Sequence, residues 1–259
     1  MSSHEPSFVR TEIRSAPGGC DCFVITLAAP RANALEPDFL AAIEAAQEDF
    51  EDTGLRRALI CGGRNFSTGG DVGRFLEAAC DGQAVAYAER VVPLLQRCVL
   101  RMIGQKAIVA LAGRGAITGG SAGFLFASDL AVLAPDAFVQ PYYGVMGFAP
   151  DGGWTATLPE RIGAGAAQDW LLNDRRFGAE ELMARGLACA VDPDPENAAL
   201  ARLAALDIDM ALAGKALIWD AARQAQVEAR LAAETEAFRT LIPLEATRAK
   251  MAAFLGKEA

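Results

Sequence analysis

Histidine is nearly absent from this chain: one residue, His4, in 259. A single histidine in the first few positions excludes histidine-based catalytic triads and disfavours most zinc sites. Positive charge is also scarce, with 24 Lys and Arg against 33 Asp and Glu and a net charge of −9. A nucleic-acid binder needs a basic stripe to neutralise phosphates, so no nucleic-acid partner is expected. No apolar run reaches the roughly 18 residues that a membrane span requires. The opening "MSSHEPSFVRTEIRSAPGG" has no apolar stretch of the kind found in secretory signals. Cysteine is present but dispersed, at 20, 22, 61, 80, 98 and 189, and Cys20-x-Cys22 is too tight for a CxxC redox or zinc pair. A reduced, cytoplasmic setting is expected, with cysteine serving as a small core residue.

What is present is apolar. The chain is 52% hydrophobic and 22% charged, which suits one large domain or a domain with a helical extension. "CFVITLA" (22–28), "RALIC" (57–61), "AIVALAG" (107–113) and "LAVLA" (130–134) read as strands, with a shorter one at "AFVQ". Between them, Phe39, Leu40, Ile43, Ala46 and Phe50 recur on one helical face after Pro37, and a long helical pattern spans about 83–103, with a kink expected at Pro93. From about 151 onward the pattern is almost wholly helical. The alternation predicts an α/β fold whose sheet is covered on both faces, with residues 1–195 as core domain and 196–259 as a helical region.

Two glycine-rich turns follow strands, "FSTGGDV" (66–72) and "RGAITGGSAG" (114–123). Neither is a nucleotide loop. Thr118 stands where a dinucleotide fingerprint needs its third glycine, and Ser121 where a Walker A loop needs lysine. Such turns are commonly structural, but two of them can also aim backbone N–H groups at one point and form an oxyanion hole.

In order along the chain, "PRANAL" (30–35), "NFSTGGDVGRF", "GRGAITGGSAGFLFASDLAVLAPDAFV", "GVMGFAPDGGWTATLPERIG", "RFGAEELMARGLACAVD" (176–192) and "AFLGKEA" resemble the signature regions of the crotonase superfamily, the enoyl-CoA hydratase/isomerase family. The resemblance implies a spiral of ββα units with a helical C-terminal trimerisation region, and a homotrimer or dimer of trimers. It implies an acyl-CoA thioester as substrate, with CoA entering as part of that substrate and no separate cofactor or metal. By position, the oxyanion donors are the backbone N–H groups of Gly70 and Gly120. Contacts to substrate or CoA fall on Arg31, Ala32, Arg64, Thr68, Gly69, Asp71, Val72, Tyr142 and Trp154. Arg31 and Arg64 also read as plain surface arginines.

Hydratases of that family use two glutamates, and the corresponding positions here are Gly123 and Tyr142. Glycine has no proton to exchange, and tyrosine is a poor base at neutral pH. Asp151, in "APDGGW", matches instead the proline-aspartate of certain enoyl-CoA isomerases, in which the aspartate does the acid–base work. An aspartate in that setting can equally be a helix N-cap. Other outcomes implied by the family are an acyl-CoA lyase or hydrolase with Asp151 as base or nucleophile, and a non-catalytic acyl-CoA binder. Asp71 and Asp129 are expected to be structural, as caps or turn hydrogen bonds.

Overall fold

Strands this apolar can only be buried on both faces, and the computed structural model, which describes residues 7–16 and 18–257, shows how. His4 lies outside the described residues. Six strands form one sheet in the order β1 (Val9–Ala16), β2 (Cys20–Leu27), β3 (Arg57–Cys61), β4 (Ile108–Gly113), β6 (Leu130–Leu133) and β9 (Ala190–Val191). A second, three-stranded sheet has the order β5 (Ala116–Thr118), β7 (Phe138–Gln140) and β8 (Phe177–Gly178). In the first sheet only the β1–β2 hairpin is antiparallel; the other neighbours run parallel.

Side chains alternate across the strands and sort into two cores. Phe23, Ile25, Ala58, Ile60, Val109 and Leu111 face the helices Pro37–Asp52 and Ala84–Gly104. Cys22, Val24, Leu59, Cys61, Ala110 and Val132 face the helix Pro195–Ala205, through Ala199, Leu200 and Leu203. The helical region after residue 195 therefore supplies the cover of one whole face.

A buried ion pair fastens this region further. Lys215 Nζ donates to Asp129 Oδ2 at 2.8 Å and to the carbonyls of Met102 and Ala107 at 2.8 and 2.9 Å. Asp129 also accepts the Val109 N–H at 2.7 Å, so it ties β4 to the C-terminal helices rather than capping a turn.

Pro93 sits inside the helix Ala84–Gly104, where the sequence placed it. Two points differ from expectation. β1 was not anticipated, because an edge strand with exposed Arg10, Thr11 and Glu12 carries little apolar signal. Residues 151–157 are a run of turns rather than helix, and two-residue strands β8 and β9 interrupt the helices beyond them. No helix among the described residues is long and apolar enough to cross a membrane.

Candidate active site

The first glycine loop is held from the side by an unusual turn. Arg31, Ala32 and Asn33 all lie in the left-handed region, at φ 51°, 55° and 59°. Conformations this sparse for non-glycine residues persist only where neighbours fix them. Here buried Asn33 donates Nδ2–H to the Phe66 carbonyl at 2.9 Å, Ser67 Oγ donates to the Asn33 carbonyl at 2.6 Å, and the Thr68 N–H reaches the Ala32 carbonyl at 3.2 Å.

Gly70 follows as the centre of a parallel bridge to Leu35. The bridge uses the Gly69 carbonyl and the Asp71 N–H, at 2.8 and 3.5 Å, so the N–H of Gly70 itself points to the opposite side. Gly120 lies in the single 3₁₀ turn Gly119–Ser121, where the first N–H groups have no acceptor within the turn. The two loops touch, and a methyl group on Gly69 would lie 2.6 Å from the Thr118 carbonyl oxygen. Asp71 caps the helix Val72–Cys80 by accepting the Arg74 N–H at 2.9 Å.

Asp151 closes the site. A methyl group on Gly120 would stand 2.6 Å from Asp151 Oδ1, so only glycine lets the carboxylate approach the second loop this closely. The aspartate is not a helix cap. The next helix, Leu158–Ile162, begins seven residues later with Thr157 at its N-cap. Its side-chain partner is instead the hydroxyl of Tyr143, which donates to Oδ1 at 2.7 Å. No donor among the described residues reaches Oδ2. Burial pushes the Asp151 carboxyl up from 3.8 to about 6, and the Tyr143 hydrogen bond only partly opposes it. The Tyr143 hydroxyl is pushed well above the usual tyrosine value, first by burial and then by the carboxylate beside it.

The same turn explains why one of the two glutamate positions, Gly123, holds no side chain. A Cβ on Gly123 would fall 1.9 Å from the Gly152 carbonyl oxygen. The Asp151 turn thus occupies the space that a side chain at 123 would need. Tyr142 is at φ 63°, its N–H bonded to Asp174 Oδ1 at 2.6 Å.

A cavity of about 370 Å³ joins these pieces. Gly70, Gly120 and Asp151 all line it, together with Arg31, Thr68, Gly69, Asp71, Val72 and Tyr142 from the sequence reading. Arg31 is half-exposed at its mouth and ion-paired with Asp71 and Glu36. Three of the residues named from the sequence are not in its wall. Ala32 props the loop through its carbonyl, and Arg64 is exposed. Trp154 is fully buried behind the site, with Nε1–H donated to the Gly119 carbonyl at 2.8 Å and its ring edge-on to Tyr143. Its role in the structure is to hold the second glycine loop, so the expected substrate contact is corrected to a support.

The fold brings further residues here. Phe148, which the sequence places beside Asp151, joins Phe75 and Phe238, which sequence reading passed over, in a cluster of rings 5.1–5.6 Å apart on the apolar wall. Glu234, in the helix Ala221–Leu241, is buried and accepts the N–H groups of Gly153 and Thr155 at 2.9 and 2.7 Å and the Thr155 hydroxyl at 2.7 Å. Burial pushes it up from 4.5 to about 7. A signal existed: Val227, Leu231 and Phe238 form the buried stripe of that helix, and Glu234 stands on it.

Comparison with known proteins decides the family. The sequence profile described as Enoyl-CoA hydratase/isomerase matches residues 21–259. The chain belongs to the enoyl-CoA hydratase/isomerase family. Among similar proteins, a probable enoyl-CoA hydratase of Rhodobacter capsulatus is 29% identical over 171 residues, covering 61% of this chain and 63% of that protein. The 4-chlorobenzoyl coenzyme A dehalogenase-1 of an Arthrobacter species is 33% identical over 93 residues, 36% of this chain and 34% of its own length. The chain thus spans less than two thirds of these relatives. The crystal structure of enoyl-CoA hydratase from Bacillus halodurans superposes with a TM-score of 0.82 at 23% identity, covering 95% of this chain and all of that one. The crotonase fold expected from the sequence is the one observed.

Proposed function

We propose that the chain is an enoyl-CoA isomerase that moves a β,γ double bond of an acyl-CoA thioester into conjugation, with Asp151 as the only acid–base group. The observation that carries this is the turn at Asp151. It delivers one carboxylate with a free Oδ2 to the cavity beside Gly70 and Gly120, while the Gly152 carbonyl fills the space of a side chain at 123.

The geometry supports each proton transfer. With the thioester oxygen facing the N–H groups of Gly70 and Gly120, Asp151 Oδ2 removes a proton from the α-carbon. The electron pair moves into a dienolate whose oxygen those two donors stabilise. The same carboxyl returns the proton at the γ-carbon, leaving the 2-enoyl thioester and an ionised aspartate. One group serves both steps because it stays on one face of a planar dienolate. A carboxyl near 6 is ionised at neutral pH, yet basic enough for carbon acids to meet it more readily than an ordinary aspartate. Tyr143 stays protonated and steadies Oδ1.

Addition of water across the double bond fits less well, although several relatives are named hydratases. Of the other carboxylates nearby, Asp71 lines the cavity but is held by the Arg74 N–H and by Arg31, and Glu234 is engaged by three donors and does not line the cavity. The acyl group is of apolar class, since Phe75, Leu95, Met146, Phe148 and Phe238 form its wall.

The test is to incubate the protein with 3-enoyl-CoA thioesters of graded length and follow the conjugated product. Asp151→Asn is expected to lower turnover roughly 10³-fold. Wild-type turnover in that variant overturns the assignment. A trapped acyl-enzyme seen by mass spectrometry, the acyl group held on Asp151 as a mixed anhydride after the CoA thiolate has left, would turn the reading toward a nucleophile.

A further inference from the structure

We propose that Glu234 is a positioning residue for Asp151, setting from the C-terminal helix the place of the turn that carries the carboxylate. This rests on the proposed role of Asp151 and extends it to a residue outside the cavity.

The turn has little regular structure to hold it. Between Ala149 and Leu158 it is neither helix nor strand, and two consecutive glycines, Gly152 and Gly153, adopt φ 66° and 101°. Such a segment is fixed by whatever its N–H groups find. Here two of them, from Gly153 and Thr155, converge on one carboxylate that arrives from the helix Ala221–Leu241. Oε2 takes the Gly153 N–H, and Oε1 takes the N–H and the hydroxyl of Thr155. Three donors meet two acceptor oxygens, a set that a carboxyl group offers and an amide or apolar side chain does not. No Lys or Arg is paired with Glu234 among the described residues, so the donors of the turn alone satisfy this buried group.

The anchor is next to the chemistry on both sides. Gly153 is two residues from Asp151, and Phe238, one helical turn beyond Glu234, lines the cavity. A glutamate placed on a stripe otherwise made of Val227, Leu231 and Phe238 has no packing reason to be there. Leucine would fill the volume, but it would leave the N–H groups of Gly153 and Thr155 without an acceptor.

The experiment compares wild type, Glu234→Gln and Thr155→Val. Glutamine preserves volume and can still accept from Thr155, but its NH₂ then meets the Gly153 N–H as donor against donor. The expected result is a fall in kcat of roughly tenfold to a hundredfold with KM within twofold, because a shift of about 1 Å at a reacting group has that effect. Thr155→Val, which removes one of three donors, gives a smaller fall in the same direction. Amide hydrogen exchange supplies a readout independent of turnover: exchange in 151–157 accelerates in Glu234→Gln while strands β2, β3 and β4 keep wild-type protection. Unchanged kcat, a change in KM alone, or faster exchange throughout the chain overturns the proposal. Asp151→Asn run in parallel separates the two readings. If it is inactive while Glu234→Gln keeps full kcat, the positioning role alone fails. If it keeps full turnover, the Asp151 assignment fails, and the exchange data still decide whether Glu234 anchors the turn.

Discussion

Asp151 combines the function proposed for it with a cost in stability, and the two follow from the same burial. Its carboxyl titrates at about 6 in the folded chain against 3.8 ordinarily, a gap that corresponds to about 3 kcal/mol. A raised value means that the folded state holds the proton more tightly. The associated stability is present below pH 3.8 and is lost as pH rises through about 6. Asp151→Asn, which cannot ionise, is therefore expected to be more stable than wild type at pH 8, by up to about 3 kcal/mol, and equally stable below pH 3.8. Urea unfolding at the two pH values measures this, and equal differences at both would contradict it. The same titration predicts that kcat/KM climbs as pH rises through about 6 and then levels off, since the base acts only when ionised. Asp151 was legible in the sequence because a proline and two glycines framed it. The bond from Tyr143 and the role of Glu234 were not, because these hydrogen bonds span 8 residues from Tyr143 to Asp151 and 81 and 79 residues from Glu234 to Gly153 and Thr155, and no local pattern encodes them.

At the scale of elements, the site is three segments of irregular chain pressed against one another. Two glycine loops and the Asp151 turn meet where only hydrogen atoms fit between them. Gly123→Glu, which restores a carboxylate at one hydratase position, is expected to give no hydration activity. Its Cβ begins 1.9 Å from the Gly152 carbonyl, so the turn must move and Asp151 with it. The expected outcome is a loss of isomerisation together with a lower urea midpoint; gain of hydration at wild-type stability would refute the packing argument. The glycines that make this contact were visible as motifs, but their reason was not. A sequence shows that a glycine is present, while only the fold shows that Asp151 Oδ1 lies where the Gly120 side chain would be. The strands β2, β3, β4 and β6 were legible because both of their faces are covered by helix, so nearly every central position is apolar. β1 and the two-residue β8 and β9 were not, since an edge or a short pairing leaves little hydrophobic pattern.

Across the whole molecule, the helices after residue 195 act as part of the core. They cover one face of the main sheet, contribute Lys215 to the buried pair with Asp129, and bring Glu234 to the Asp151 turn. Lys215→Met leaves Asp129 buried without its partner, although the Val109 N–H remains. A loss of roughly 3–5 kcal/mol is expected in urea unfolding. A loss under about 1 kcal/mol would show that the pair contributes little. The sequence indicated helices here from leucine spacing, but not that they close the sheet, because the lysine that joins them to β4 looks like any other surface cation. The reach of Glu234 also has a bearing on biosynthesis. Chains emerge from the ribosome N-terminal end first. Both glycine loops and Asp151 are made well before the helix Ala221–Leu241. During that interval the Asp151 turn lacks the Glu234 acceptor for its Gly153 and Thr155 amides, and the far face of the sheet is bare until Pro195–Ala205 follows. A nascent chain stalled before residue 195 should therefore expose apolar sheet to chaperones, and one stalled before residue 234 should lack the anchor of the Asp151 turn.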